Sequence, residues 1–76
     1  MPTVIRAHGL RFAVFTDDHP PPHVHVSGRG AAKIGLGSDA PVIANQGLSR
    51  PDIARARNVV RANHERLLEV WNRIHG

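Results

Sequence analysis

Three consecutive prolines, Pro20–Pro22, constrain the fold of this chain more than any other feature of its sequence. Prolines have no backbone N–H to donate and hold φ near about −65°, so this stretch fits neither a helix nor a central strand. It is predicted to be a stiff connector. The segment that follows, His23–Val26, alternates polar and apolar side chains as a half-buried strand does. A strand is therefore expected to begin directly after the prolines, with Val24 and Val26 facing the core.

Further strands are predicted on both sides of this segment. Residues 3–15 have the pattern of a hairpin turning at His8-Gly9, in which Leu10, Phe12 and Val14 share one face. Residues 31–36 form the strand that returns after a turn at 27–30. Residues 41–44 form a short edge strand before a turn at residues 45–47.

The spacing of apolar residues changes to a helical period after Ser49. Ser49 and Asp52 have the spacing of a helix N-cap and its capping box, with a proline tolerated in the first turn. Apolar residues then recur at helical spacing up to Gly76. Polar residues interrupt this pattern at Asn63-His64, where we expect one long helix to bend. The prediction is a single α+β domain over 1–76, with a β-rich part (1–48), an antiparallel sheet of four to five strands, and a C-terminal helix (49–76) packed on one face.

The composition excludes several classes of function. The chain has 76 residues and no cysteine, which rules out disulfides, thiolate metal sites and a cysteine nucleophile. It has no apolar run of roughly 20 residues for a membrane span and no export signal at its start, so a cytoplasmic location is expected. The formal net charge is +4, which favours a polyanion such as RNA or DNA, or an acidic protein. So small a core also makes a partner or a homo-oligomer an expectation.

Three histidines surround the prolines: His19, His23 and His25. His23 and His25 point to the same side of a strand, and the prolines direct His19 toward them, so we expect the imidazoles to meet on an open face of the sheet. Three interpretations remain open. The histidines bind a divalent transition metal, they transfer protons in phosphodiester cleavage without a metal or other cofactor, or they have a structural role.

Arginine supplies most of the positive charge. Arg57 and Arg61 lie with Arg50 on one flank of the apolar stripe of the predicted helix, as a surface for phosphates or an acidic partner. Arg6 and Arg11 reach the histidine face if the first hairpin lies beside the histidine strand. We therefore predict His19, His23 and His25 as catalytic residues. The predicted binding residues are Arg6, Arg11, Arg57 and Arg61.

The segments Met1–Arg6, Asp18–Val26 and Leu67–Gly76 together resemble a bacterial family known as domain of unknown function 4160. The resemblance covers nearly the whole chain. It implies a small protein that works with a cognate partner of the domain of unknown function 2442 type, in an arrangement like a toxin–antitoxin pair. The family pattern falls on Arg6, Arg11, Phe12, His19, Pro22, His23, His25, Lys33 and Trp71, and it adds Lys33 to the binding residues.

This chain departs from the family pattern at Ala13, Val14 and Ala32. The first two replace aromatic residues, and Ala32 replaces an acid. The leading hypothesis is a component of a two-protein toxin–antitoxin-like module that binds its partner and binds or cleaves RNA with a His/Arg site, as a metal-independent ribonuclease would. The alternatives are a non-catalytic protein-binding module and a metal-binding protein that uses His19, His23 and His25.

Overall fold

A computed structural model of the chain describes residues 3–75, which form five strands followed by one helix. The strands are β1 (Thr3–Ala7), β2 (Leu10–Ala13), β3 (His23–Ser27), β4 (Ala31–Gly35) and β5 (Val42–Gln46), and the helix α1 spans Arg50–His75. Each strand pairs antiparallel with the next one in the chain. The predicted α+β class is confirmed. The predicted helix end at Gly76 lies outside the described residues.

The first hairpin turns at His8-Gly9, as the sequence predicts. His8 and Gly9 both have positive φ, 55° and 74°, which is the signature of the two-residue turn whose twist matches that of the flanking strands. The β2 strand ends at Ala13, two residues before the predicted end at Phe15. The two residues that follow Ala13 leave the sheet and lead into the loop that carries the prolines.

One face of the sheet and one stripe of the helix form the core. Leu10, Phe12 and Val14 are buried as the alternation predicts, and Val24 and Val26 of β3 lie beside them. The helix contributes four buried apolar side chains, Ala56, Val60, Leu67 and Trp71. The helix thus covers the sheet face that carries the two valines, and the opposite face of the sheet carries the alternate residues.

The helix begins and bends where the sequence indicates. The backbone N–H of Asp52 donates to Ser49 Oγ at 3.3 Å, so Ser49 is the N-cap. Asn63 has non-helical backbone angles (φ −126°, ψ 15°), and its Nδ2 donates to the Val59 carbonyl at 2.8 Å. This side-chain bond satisfies a carbonyl at the kink. Within residues 3–75, no helix combines the length and the apolar character that crossing a membrane requires.

The β5 strand is longer than predicted, and the predicted turn at residues 45–47 is displaced. β5 continues through Gln46, and the chain turns at Gly47, whose φ is 93°. Asn45 stabilises this turn from within the strand, because its side chain accepts from Leu48 N at 3.0 Å and donates to Leu48 O at 3.1 Å. Asparagine is common in turns because its side chain can hydrogen-bond to the backbone nearby. Asn45 forms such bonds with its side chain, while its backbone pairs with β4.

An ion pair joins the β3–β4 turn to the start of the helix. Arg29 donates through Nε and Nη2 to both carboxylate oxygens of Asp52, at 3.1 and 2.7 Å, and Arg55 donates to the same carboxylate at 3.1 Å. The Asp52 carboxylate is almost fully buried. The hydrogen bonds from Arg29, which outweigh the opposing effect of burial, hold the pKa of Asp52 below its ordinary value. The sequence predicts only that Arg29 lies in a hairpin turn, and it does not predict the ion pair with Asp52.

Candidate functional site: an Asp-His-His cluster beside an open sheet face

Asp18, His23 and His25 form a cluster at the start of β3. His23 and His25 are two residues apart on the strand, and their ring centroids lie 5.1 Å apart. The turn that precedes the prolines brings Asp18 to them: Asp18 Oδ1 lies 2.7 Å from His25 Nε2 and 3.5 Å from His23 Nε2. One donor atom from each of the three residues lies within 4.8 Å of the others. We call these three residues the Asp-His-His cluster.

Backbone contacts hold the cluster in place. The N–H of Phe15 donates to Asp18 Oδ2 at 3.1 Å, and the N–H of Asp18 lies 3.3 Å from the Phe15 carbonyl. On the other side, His23 Nδ1 lies 2.9 Å from the Pro21 carbonyl. Because a carbonyl only accepts, Nδ1 of His23 carries a proton. The turn and the prolines thus orient two of the three side chains before any ligand arrives.

Aromatic rings enclose the histidines. The ring centroid of Trp71, near the end of α1, lies 5.4 Å from that of His23. The ring of His75 stacks on Trp71 with a centroid distance of 3.9 Å. The ring of Phe15 packs against that of His25, with a centroid distance of 4.4 Å. His23 is buried, with 9% of its side chain exposed, whereas His25 keeps 24% exposed. Only His25 gives the cluster an open side.

The cluster favours an ionised carboxylate. Burial works to raise the pKa of Asp18, but the hydrogen bonds from His25 and the Phe15 N–H, together with the electrostatic effects of His25 and His23, outweigh it, so the pKa lies below its ordinary value. An ionised carboxylate only accepts hydrogen bonds, so His25 Nε2–H donates to Asp18 Oδ1. His23 Nε2 is buried and has no hydrogen-bond partner among the described residues.

The face of the sheet opposite the helix carries most of the predicted binding residues. The strand register places Ala13, His25, Lys33 and Ala44 in one row across β2 to β5. The neighbouring row contains Arg6, Arg11 and Ser27. We call this surface the open face. It contains a groove of about 300 Å³, which is lined chiefly by Ala13, Phe15, His25, Ser27, Ala31, Lys33, Ala44 and Gln46.

The structure groups the predicted site residues differently from the sequence. It brings His23 and His25 together, but it buries His23 under Trp71, so the expectation that the imidazoles meet on an open face is wrong for His23. His19 is exposed, and no hydrogen bond joins it to the other two within residues 3–75. Asp18 takes the third place instead. The acids before the prolines were visible in the sequence, but not which of them turns back toward the strand.

The helix arginines lie apart from this cluster. Arg57 donates to the carbonyls of Asp39 and Ala40, both at 2.9 Å, and thereby fixes the loop between β4 and β5. Arg61 is exposed and donates to the Asn58 side chain at 3.0 Å. Because α1 packs on the sheet face that carries Val24 and Val26, neither arginine belongs to the open face. A phosphate or an acidic partner could therefore bind Arg57 Nε and Nη2 only by replacing their hydrogen bonds to the loop.

The fold and the cluster together define a small α+β protein with an aspartate and two histidines at the edge of an open, basic sheet face. The chain belongs to the family described as Domain of unknown function (DUF4160), whose model matches residues 9–72. The matched region includes the whole Asp-His-His cluster. No curated protein and no solved structure matches the chain.

Proposed function

We propose that this protein binds single-stranded RNA on its open face, as one component of a two-protein, toxin–antitoxin-like module in the cytoplasm. The observation that carries the proposal is the strand register. It aligns Arg6, Arg11 and Lys33 on one side of the sheet, beside a groove that contains His25 and Phe15. Cationic side chains along a groove with an aromatic ring are the elements that bind single strands.

The charges on this face support a phosphate ligand. Arg6, Arg11 and Lys33 are exposed, and none of them forms an ion pair with an acidic residue within residues 3–75. Charges that are not neutralised within the fold attract a polyanion, and their release of counterions makes the affinity depend on salt. A single strand suits the sheet because its bases can be unstacked and laid against a ring such as that of Phe15.

The buried position of His23 changes the expected chemistry. A cleavage mechanism with two histidines needs two imidazoles that reach the substrate. His25 lines the groove, but the Nε2 of His23 is buried. The geometry therefore favours binding over cleavage by a His23–His25 pair, and cleavage becomes a separate readout of the same experiment.

A titration of labelled single-stranded RNA, followed by fluorescence anisotropy at several salt concentrations, tests the proposal. Three phosphate contacts give a slope of log K against log salt of about −2, at about −0.7 for each contact on a single strand. Lys33→Gln is expected to weaken binding and to make the slope shallower by about 0.7. The matched control is Arg73→Gln, which removes the same charge from an exposed helix position paired with Glu69.

Two outcomes would refute RNA binding on the open face. One is the absence of binding at low salt. The other is an equal loss of affinity in Lys33→Gln and Arg73→Gln, which would indicate attraction by overall charge alone. Gel analysis of the same samples measures cleavage, and cleavage that survives His25→Ala would exclude this histidine from the reaction.

The partner in this proposal has a suitable surface on β5. All five residues of this edge strand are exposed, and two of them are large and apolar, Val42 (40%) and Ile43 (48%). An unpaired edge with apolar side chains can accept a strand from another protein. Co-expression with a small protein of the domain of unknown function 2442 type, followed by purification through that partner, tests this part. If the two proteins do not co-purify, the proposed partner is refuted, whereas the proposal of RNA binding is unaffected.

A further inference from the structure

We propose that Asp18, His23 and His25 bind one divalent transition-metal ion, with Zn²⁺ as the simplest occupant. The three side chains offer two imidazole nitrogens and one carboxylate oxygen, which is a donor set that zinc accepts in proteins. Their donor atoms converge from one strand and one preceding turn. This inference does not rest on RNA binding, because it concerns a different ligand and can be tested without RNA.

The surroundings of His23 Nε2 provide the strongest argument. The Pro21 carbonyl accepts from Nδ1 of His23, so a neutral ring at this position presents the lone pair of its Nε2. This Nε2 is buried, has no hydrogen-bond partner among residues 3–75, and lies 3.5 Å from Asp18 Oδ1. Two electron-rich atoms that face each other in a buried place are stable only with a proton or a cation between them. We assign this role to a metal ion.

The surroundings of the cluster are those of an oriented metal site. Metal-binding histidines commonly donate their second ring nitrogen to a carbonyl, which fixes the ring and makes the free nitrogen a better ligand. The Pro21 carbonyl does this for His23, and the Phe15 N–H holds the second oxygen of Asp18. Trp71 packs against the His23 ring and limits its movement.

Unlike His23, His25 has a proton on the nitrogen that would bind the metal. Its Nε2 donates a proton to Asp18 Oδ1 at 2.7 Å. A metal ion that binds both atoms replaces this proton: in a neutral ring the proton moves to Nδ1 of His25, whereas a doubly protonated ring keeps the proton on Nδ1 and releases the one on Nε2 to solvent. Zinc commonly takes four ligands, so three protein donors leave one position for a water molecule or a ligand group. His25 is the more exposed of the two histidines.

The test is a titration of tag-free, chelator-treated full-length protein with Zn²⁺ by calorimetry, repeated with Co²⁺ by visible absorption. We expect one equivalent to bind to the wild type. Asp18→Asn is expected to bind at least about tenfold more weakly, since changes even in the outer shell of metal sites cost about 10–100-fold. The matched control is Asp17→Asn, which makes the same change at an exposed neighbouring position. His25→Gln tests whether His25 is also a metal ligand.

Thermal unfolding provides a readout that separates binding at the cluster from binding elsewhere. A ligand that binds the folded state raises its melting temperature, so Zn²⁺ should raise that of the wild type and of Asp17→Asn by similar amounts, and that of Asp18→Asn by less at the same Zn²⁺ concentration. Circular dichroism of the metal-free variants checks that each one folds. If no stoichiometric Zn²⁺ or Co²⁺ binding occurs, or if Asp18→Asn and Asp17→Asn bind equally well, the proposal is overturned and His23 is satisfied by a proton instead. No RNA is present in this titration, so its failure leaves the proposal for the open face standing.

Discussion

Gly30 lies where two backbones approach each other too closely for any side chain. A Cβ atom placed on Gly30 would lie 2.4 Å from the carbonyl carbon of Gly47, 2.6 Å from its oxygen and 2.7 Å from the backbone nitrogen of Leu48. All three are backbone atoms, so no side-chain rotation relieves the overlap. The close approach is required by the bridge between Ala31 and Gly47, which joins the start of β4 to the turn after β5.

The size of the effect of Gly30→Ala follows from these distances. The nearest contact is about 1 Å shorter than ordinary van der Waals distances, so the β5 turn has to move away from β4. Overpacking of this kind costs typically about 1–3 kcal/mol, and we expect a loss in the free energy of unfolding of about 2–3 kcal/mol because backbone has to shift. For a domain of this size, this loss lowers the melting temperature by roughly 10–20 °C.

Gly37→Ala is the matched control for this prediction. A Cβ atom on Gly37 would meet only the end of the flexible Asp39 side chain, at 3.0 Å, and Gly37 is exposed. We expect its stability to stay within about 0.5 kcal/mol of the wild type. Thermal unfolding by circular dichroism and urea unfolding followed by Trp71 fluorescence measure both variants. A loss in Gly30→Ala below about 1 kcal/mol, or equal losses in the two variants, would refute the assignment of a steric role to Gly30.

Two further predictions concern the ion pair at the start of the helix. Arg29→Gln is expected to lower the melting temperature at neutral pH more than Arg55→Gln does, because Arg29 donates two hydrogen bonds to Asp52 and Arg55 donates one; an equal effect would contradict the ranking. Since the pKa of Asp52 is lowered in the folded state, its ionised form stabilises the fold above the unfolded-state pKa of about 3.9, and this contribution disappears as the pH falls through the lower folded-state value. Melting temperatures measured at acidic pH should therefore depend less on pH in Asp52→Asn than in the wild type, and an equal dependence in the two proteins would contradict this prediction.

The features that the sequence predicts correctly depend on neighbouring residues. The alternation at Val24 and Val26 defines the buried face of β3, and the His8-Gly9 pair specifies a tight hairpin turn. Ser49 marks the helix start, and the interruption at Asn63 marks the bend. Each of these signals acts over at most a few residues, so the backbone pattern alone is enough to predict the structure there.

The features that the sequence does not predict depend on contacts between distant or competing residues. Arg29 and Asp52 are 23 positions apart, and only the packing of the helix brings them together. Arg57 uses its donors on two loop carbonyls because the loop between β4 and β5 curves toward α1. Asp18 rather than His19 completes the cluster, since the turn at residues 15–18 is closed by the Asp18 side chain itself.

The position of Asp18 beside a basic face has a physical explanation if the cluster holds a metal ion. With neutral imidazoles, the ionised carboxylate of Asp18 places a negative charge next to the groove that contains His25, and this charge would repel a phosphate backbone. A bound divalent cation reverses the sign of the cluster, so its charge then acts in the same direction as that of Arg11 and Lys33. Metal binding and RNA binding are therefore compatible on electrostatic grounds, although each is tested alone. The exposed side of His25 is where the two proposed sites meet, because its ring belongs both to the cluster and to the wall of the groove.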